Sequence, residues 1–173
     1  MERKMNIYDQ WLAKDKTPEI DHTGILTAVV KENWNEDYKG MVKVEFFYGE
    51  NGKATTAWVR VASPYTSNQA GIYFLPEVGS EVLVAFINGN RNEPVIIGSL
   101  WNNKSPIGDT FATEKNTVKT LKTKAGHELI FDEEKGKEQI TIQTVGKLKI
   151  NLADEKKILT ITDEKGKTGI IID

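Results

Sequence analysis

An all-β protein built in two unlike parts is what this sequence predicts, and three observations carry the expectation. From Thr23 onward, apolar residues recur at every second position over runs of five to seven residues, the spacing of a strand that buries one face. Asn and Gly cluster between the runs, as at Asn51-Gly52 and Asn88-Gly89-Asn90, where a hairpin turn needs φ > 0. After Lys122 a strand-and-turn unit of about ten residues repeats to the end, the mark of a structure that grows along one axis.

Composition bounds the function. The 173 residues carry 23 Lys plus Arg against 25 Asp plus Glu, a net charge of −2, and no cysteine. Phosphate contacts supply most of the affinity of a polyanion binder, so nucleic acid is not an expected partner. Without thiols there is no disulfide framework and no thiolate metal site, and stability has to come from packing. No apolar run reaches the roughly 18 to 20 residues that span a bilayer, and Met1-Glu2-Arg3-Lys4-Met5-Asn6 lacks the apolar stretch of a secretory signal. Synthesis in the cytoplasm without a signal peptide is the expectation.

The grammar changes near Pro106. All five prolines, all four tryptophans and 13 of the 15 aromatics lie at or before it. Residues 107–173 hold 12 Lys and 12 Asp plus Glu, interleaved with β-branched residues, which reads as a solvated face alternating with an apolar one. The chain divides on this basis into an N-terminal arm (1–21), a barrel domain (22–105), a linker (106–121) and a repetitive β-array (122–173).

The arm contains Ile7-Tyr8-Asp9-Gln10-Trp11-Leu12, spaced for one face of a short helix. It is too short to bury that face alone. Either it frays or packs on its own domain, or it is a docking arm for a partner protein.

Five strand-like runs follow: 25–30, 41–47, 57–61, 81–87 and 94–100. Five short antiparallel strands in about 80 residues cannot bury both faces as an open sheet. A small closed barrel is the economical solution, and the five-stranded OB barrel fits the count, with residues 65–75 as its extra connection.

In the array, Leu129 and Phe131, Ile140 and Ile142, Leu148, Ile150 and Leu152, Leu159 and Ile161, then Ile170 and Ile172 alternate with polar residues. These are eleven large apolar side chains, each gaining on the order of 1.5 to 3 kcal/mol when buried. No helix follows to cover them, and a narrow sheet with an open apolar side and free edges would aggregate. Identical copies wrapped about a common axis hide the face mutually, and three copies of a narrow ribbon close a triangular prism. The alternative is an array folded back on itself as a monomeric sandwich.

Several segments now carry a resemblance. Residues 40–46 and 58–61, the run Leu75-Pro76-Glu77-Val78-Gly79-Ser80-Glu81-Val82-Leu83-Val84-Ala85-Phe86, Gly89-Asn90 with 94–102, and Lys122-Thr123-Lys124-Ala125-Gly126-His127-Glu128-Leu129-Ile130-Phe131-Asp132-Glu133 resemble, in this order, the VgrG and phage baseplate spike family. The likeness covers about residues 23–173. It implies an OB domain followed by an intertwined trimeric β-prism or β-helix needle: the membrane-puncturing central spike of a contractile injection system such as a phage tail, a tailocin, an extracellular injection particle or a type VI secretion system. The long amino-terminal hub domains of VgrG proteins do not precede the barrel, so the resemblance implies a short spike subunit that meets a separate baseplate hub protein. The stretch from Pro106 to Lys122 is too short for a muramidase. The end, Lys167-Thr168-Gly169-Ile170-Ile171-Ile172-Asp173, lacks the His-x-His pair that binds iron at some spike apices, and its apolar character suits a PAAR-repeat tip protein.

The site expectations follow. Leu129, Phe131, Ile140, Ile142, Leu148, Ile150, Leu152, Leu159 and Ile161 form the trimer interface. Ile170, Ile171, Ile172 and Asp173 contact the tip protein. Ile7, Tyr8, Trp11 and Leu12 contact the hub. The target is a bacterial or host cell envelope. No enzyme activity, cofactor or metal is expected, because no nucleophile with a base, shielded carboxylate pair or ligand set is visible. His22 and His127 stand alone in the sequence and read as surface and turn residues, with metal binding across a three-fold axis as the alternative. The Asp-Glu-Lys turns lack the ligand spacing of calcium loops. Trp58, Phe74 and Trp101 read as core or subunit-interface residues, or as a base-stacking platform. The competing function is an OB-fold module binding single-stranded nucleic acid or carbohydrate.

Overall fold

The computed structural model describes residues 24–46, 55–90, 92–108, 111–166 and 169–172. No α-helix occurs among them, and they fall into two compact units, residues 1–106 and 107–173.

The first unit is a closed barrel of five strands: β1 (Leu26–Glu32), β2 (Met41–Phe46), β3 (Thr55–Val61), β6 (Glu81–Phe86) and β7 (Pro94–Leu100), in the order β1-β2-β3-β7-β6. Alternation decides which residues go inside. Ala28 and Val30, Val42, Val44 and Phe46, Val59, Val82, Val84 and Phe86, and Ile96 are buried and form one cluster. Their sequence neighbours Lys43, Glu45 and Glu81 point away from this core and are only half-buried, as period-two patterning requires. The strand runs and the five-stranded closure are those the sequence implies. One pairing corrects the reading of an antiparallel barrel: β3 and β7 run parallel, with Arg60 opposite Val95 and Val61 opposite Ile96. An intervening segment makes this possible, because parallel neighbours need a long crossover. That segment holds a two-stranded hairpin, β4 (Thr66–Ser67) and β5 (Ala70–Gly71). A Cβ at Gly71 would lie 2.7 Å from the Tyr65 carbonyl oxygen, so only glycine fits there.

The second unit is a six-stranded antiparallel meander: β8 (Val118–Lys122), β9 (Glu128–Asp132), β10 (Gln139–Gln143), β11 (Lys149–Ala153), β12 (Ile158–Thr162) and β13 (Gly169–Ile172). Each strand pairs only with its sequence neighbours, so all connections are turns. The first strand begins at Val118, inside the stretch read as a linker. Lys119, Thr120 and Leu121 pair with Phe131, Ile130 and Leu129, and the flanking lysines had masked the alternation.

The turns have a shared chemistry. Thr123 Oγ1 accepts the backbone N–H of His127 at 3.1 Å, and Thr144 Oγ1 accepts that of Leu148 at 3.1 Å. The residue that reverses the chain has positive φ in each, Gly126 at 101° and Lys147 at 64°.

Candidate assembly surface

Register carries the apolar side chains into two columns. Leu121, Leu129, Ile142, Ile150, Ile161 and Ile170 stand opposite one another in turn, and so do Phe131, Ile140, Leu152, Leu159 and Ile172. Side chains opposite one another on paired strands share a face. The eight expected interface residues that lie on strands therefore share one side of the sheet, with Leu148 beside them in the turn before β11. Leu121 also belongs to this face, and it was missed because the position two residues before it on that face is Lys119 and Lys122 follows it. Lys119 heads the second column, opposite Phe131. Its Nζ lies 2.6 Å from the Asn116 carbonyl oxygen and 3.3 Å from Glu133 Oε2.

The opposite face carries a central row of Thr120, Ile130, Thr141, Asn151, Thr160 and Ile171. Asn151 Nδ2 donates to Gln139 Oε1 and to Thr141 Oγ1, both at 2.9 Å. Burial is inverted relative to hydrophobicity. Thr141 is 6% exposed, whereas Ile142, its neighbour on the apolar side, is 49% exposed. Leu121, Phe131, Ile140, Ile150, Leu152, Ile170 and Ile172 are exposed as well. A contiguous apolar face of this kind marks an interaction surface.

The last strand, β13, is apolar on both sides, because Ile170 and Ile172 point one way and Ile171 the other, and all three are exposed. It is also the outer strand of its sheet, so its outward backbone groups have no ladder within the unit. Asp173, the candidate hub residues Ile7, Tyr8, Trp11 and Leu12, and His22 lie outside the described residues.

Ionisable groups sit on the turns. Glu134 Oε1 accepts from Lys115 Nζ at 3.1 Å and its Oε2 from Lys137 Nζ at 3.3 Å. Hydrogen bonding to Lys115, then to Lys137, holds the Glu134 carboxyl below the ordinary glutamate range. His127 Nδ1 faces the Val145 N–H at 3.4 Å, which joins two turns on one edge. Among the described residues no group of three or more His, Asp or Glu is placed to hold a metal ion. An open hollow of about 370 Å³ on the polar face is lined by Gln139, Asn151, Thr160 and Ile171, with Glu155 and Lys156 at its rim. On the barrel, Trp58 stacks on Tyr38 with ring centroids 5.1 Å apart. Phe74 and Trp101 are exposed, so neither is in the barrel core. No helix is long and apolar enough to cross a membrane among the described residues.

Comparison with known proteins agrees with this architecture. Residues 26–101 match the type VI secretion system/phage-baseplate injector OB domain family. The chain is 31% identical over 144 residues to the type VI secretion system spike protein VgrG5 of Pseudomonas aeruginosa PAO1, covering 79% of this chain and 18% of that protein. It is 32% identical over 140 residues to the actin cross-linking toxin VgrG1 of Vibrio cholerae O395, covering 75% and 13%. It is 33% identical over 135 residues to the spike protein VgrG3 of Vibrio cholerae N16961, covering 72% and 13%. The chain thus spans less than a fifth of the length of these relatives. With a closed five-stranded barrel over the matched residues and a β-meander after it, the chain belongs to the VgrG and phage-baseplate spike family.

Proposed function

We propose that this chain is the central spike subunit of a phage-tail-like contractile injection system, and that three copies close their meanders into one β-prism. The exposed apolar face of β8–β13 carries the reading. A sheet of this width gains most by apposing that face to identical faces about an axis, since each side chain buried there contributes on the order of 1.5 to 3 kcal/mol. The function is mechanical. Strands perpendicular to the growth axis load many hydrogen bonds together, and a closed prism offers no free apolar flank to the envelope it enters.

In this reading residues 22–105 form the barrel domain, the stretch from 106 to 117 the linker, and the needle starts with β8 at Val118 rather than at the 122 expected from the sequence. The arm residues Ile7, Tyr8, Trp11 and Leu12 dock on a hub protein. Ile170, Ile171, Ile172 and Asp173 seat a PAAR-type tip, because β13 leaves apolar side chains and an unpaired strand edge together. The protein is assembled into the baseplate and acts as a structural part rather than as an enzyme, against a bacterial or host cell envelope. The names of two relatives, VgrG5 and VgrG3, support the spike role, while the toxin name of VgrG1 belongs to a protein of which this chain spans only 13%.

The test is assembly on both partners. Purified full chain should have the mass of three copies. It should retain a PAAR-repeat protein in pull-down, and Ile171→Asp should abolish that retention while leaving the three-copy mass unchanged. Retention unaffected by Ile171→Asp would overturn the tip assignment.

A further inference from the structure

The two lateral edges of the meander differ in charge. One edge is built from the turns after β8, β10 and β12 with the strand ends beside them. It carries Lys122, Lys124, Lys147, Lys149 and Lys165 against Glu128, Asp163 and Glu164, a net charge of +2 among the described residues. The other edge is built from the turns after β9 and β11. It carries Asp132, Glu133, Glu134, Glu138, Asp154 and Glu155 against Lys135, Lys137, Lys156 and Lys157, a net charge of −2. Glu114 and Lys115, just before β8, cancel there. Lys119 reaches Glu133 from within the sheet and lessens the acidic excess without removing it. The basic edge also exposes two apolar side chains, Val145 and Leu148, which can pack between neighbouring copies.

We infer that copies of this chain join edge to edge and head to tail, the basic edge of one copy against the acidic edge of the next. The inference rests on the three-copy reading and specifies its junctions. Two copies meeting through the same edge would set like charges opposite each other, which opposes a two-fold dimer. A ring closed by rotation sets unlike edges together at every junction. Rim charges at such a junction act through orientation and encounter rate, and salt screens them over about 10 Å at 0.1 M. The turn after β11, with Asp154 and Glu155, lies one strand spacing, about 5 Å, from the levels of Lys147 and of Lys165 on the far edge.

The experiment uses the full chain at about 0.05 M salt, where screening is weak, with mass in solution read against concentration. Lys147→Glu with Lys165→Glu reverses one edge, and Asp154→Lys with Glu155→Lys reverses the other. Each pair should weaken assembly roughly tenfold, the scale of a few rim charge pairs. All four substitutions in one chain restore unlike edges and should return assembly to near the parent level. This rescue cannot come from a chain that fails to fold. Pairs that assemble as tightly as the parent, or a fourfold variant no tighter than the pairs, overturn the edge assignment and leave the three-copy reading standing. A parent chain that stays single overturns both.

Discussion

Thr120 carries the most exposed weakness at the level of single residues. Its Oγ1 is buried with no hydrogen-bond partner, and a buried hydroxyl without a partner costs about 1 to 3 kcal/mol. Thr120→Val keeps the shape and the β-branching, so it should raise stability by roughly 1 kcal/mol, read as the denaturant midpoint of the second unit. The other side of the ledger is Ile96, which is buried in the barrel at 1% exposure. Ile96→Ala should destabilise the barrel by about 2 to 5 kcal/mol through lost burial and the cavity left behind. Glu134 gives a pH signature. Its carboxyl is held below the ordinary glutamate range by Lys115 and then Lys137, so its contribution is complete above the unfolded glutamate value. That contribution is lost as pH falls through the lower folded value. Carboxyl NMR titration of Lys115→Gln should move Glu134 upward toward the ordinary range; an unchanged midpoint would remove Lys115 as the cause.

At the level of elements, the meander is held by register and turn chemistry, and its apolar side is the part that answers to assembly. Ile142→Glu places a charge between Leu129 and Ile150 in the first column. It should abolish multi-copy assembly while circular dichroism and the barrel's own unfolding transition stay as in the parent, because the two units are separately compact. Loss of the barrel signal as well would show that the units fold only together. The same elements show what sequence can reveal. Ile140 and Ile142, with Thr141 between them, were legible because period-two alternation alone assigns faces, and the barrel core from Ala28 to Ile96 was legible for the same reason. Leu121 was not, because Lys119 and Lys122 broke the pattern while pairing with Phe131 and Glu128. The parallel β3–β7 pair was also hidden: alternation reports which way a side chain points and carries no information on strand direction. The inverted burial, Thr141 covered and Ile142 open, is a property of the folded sheet that no residue count contains.

The whole molecule joins a barrel whose inward-facing strand residues form a closed apolar core to a sheet whose apolar face has no such cover within the unit. That contrast underlies the spike reading, since a chain carrying such a face gains by self-association, and the barrel residues match the type VI secretion system/phage-baseplate injector OB domain family. The direct measurement is the mass of the purified full chain at micromolar concentration by sedimentation equilibrium. The account predicts a species three times the 19.4 kDa of one chain, which dissociates on Ile142→Glu. A folded, soluble species of a single chain at that concentration would contradict it.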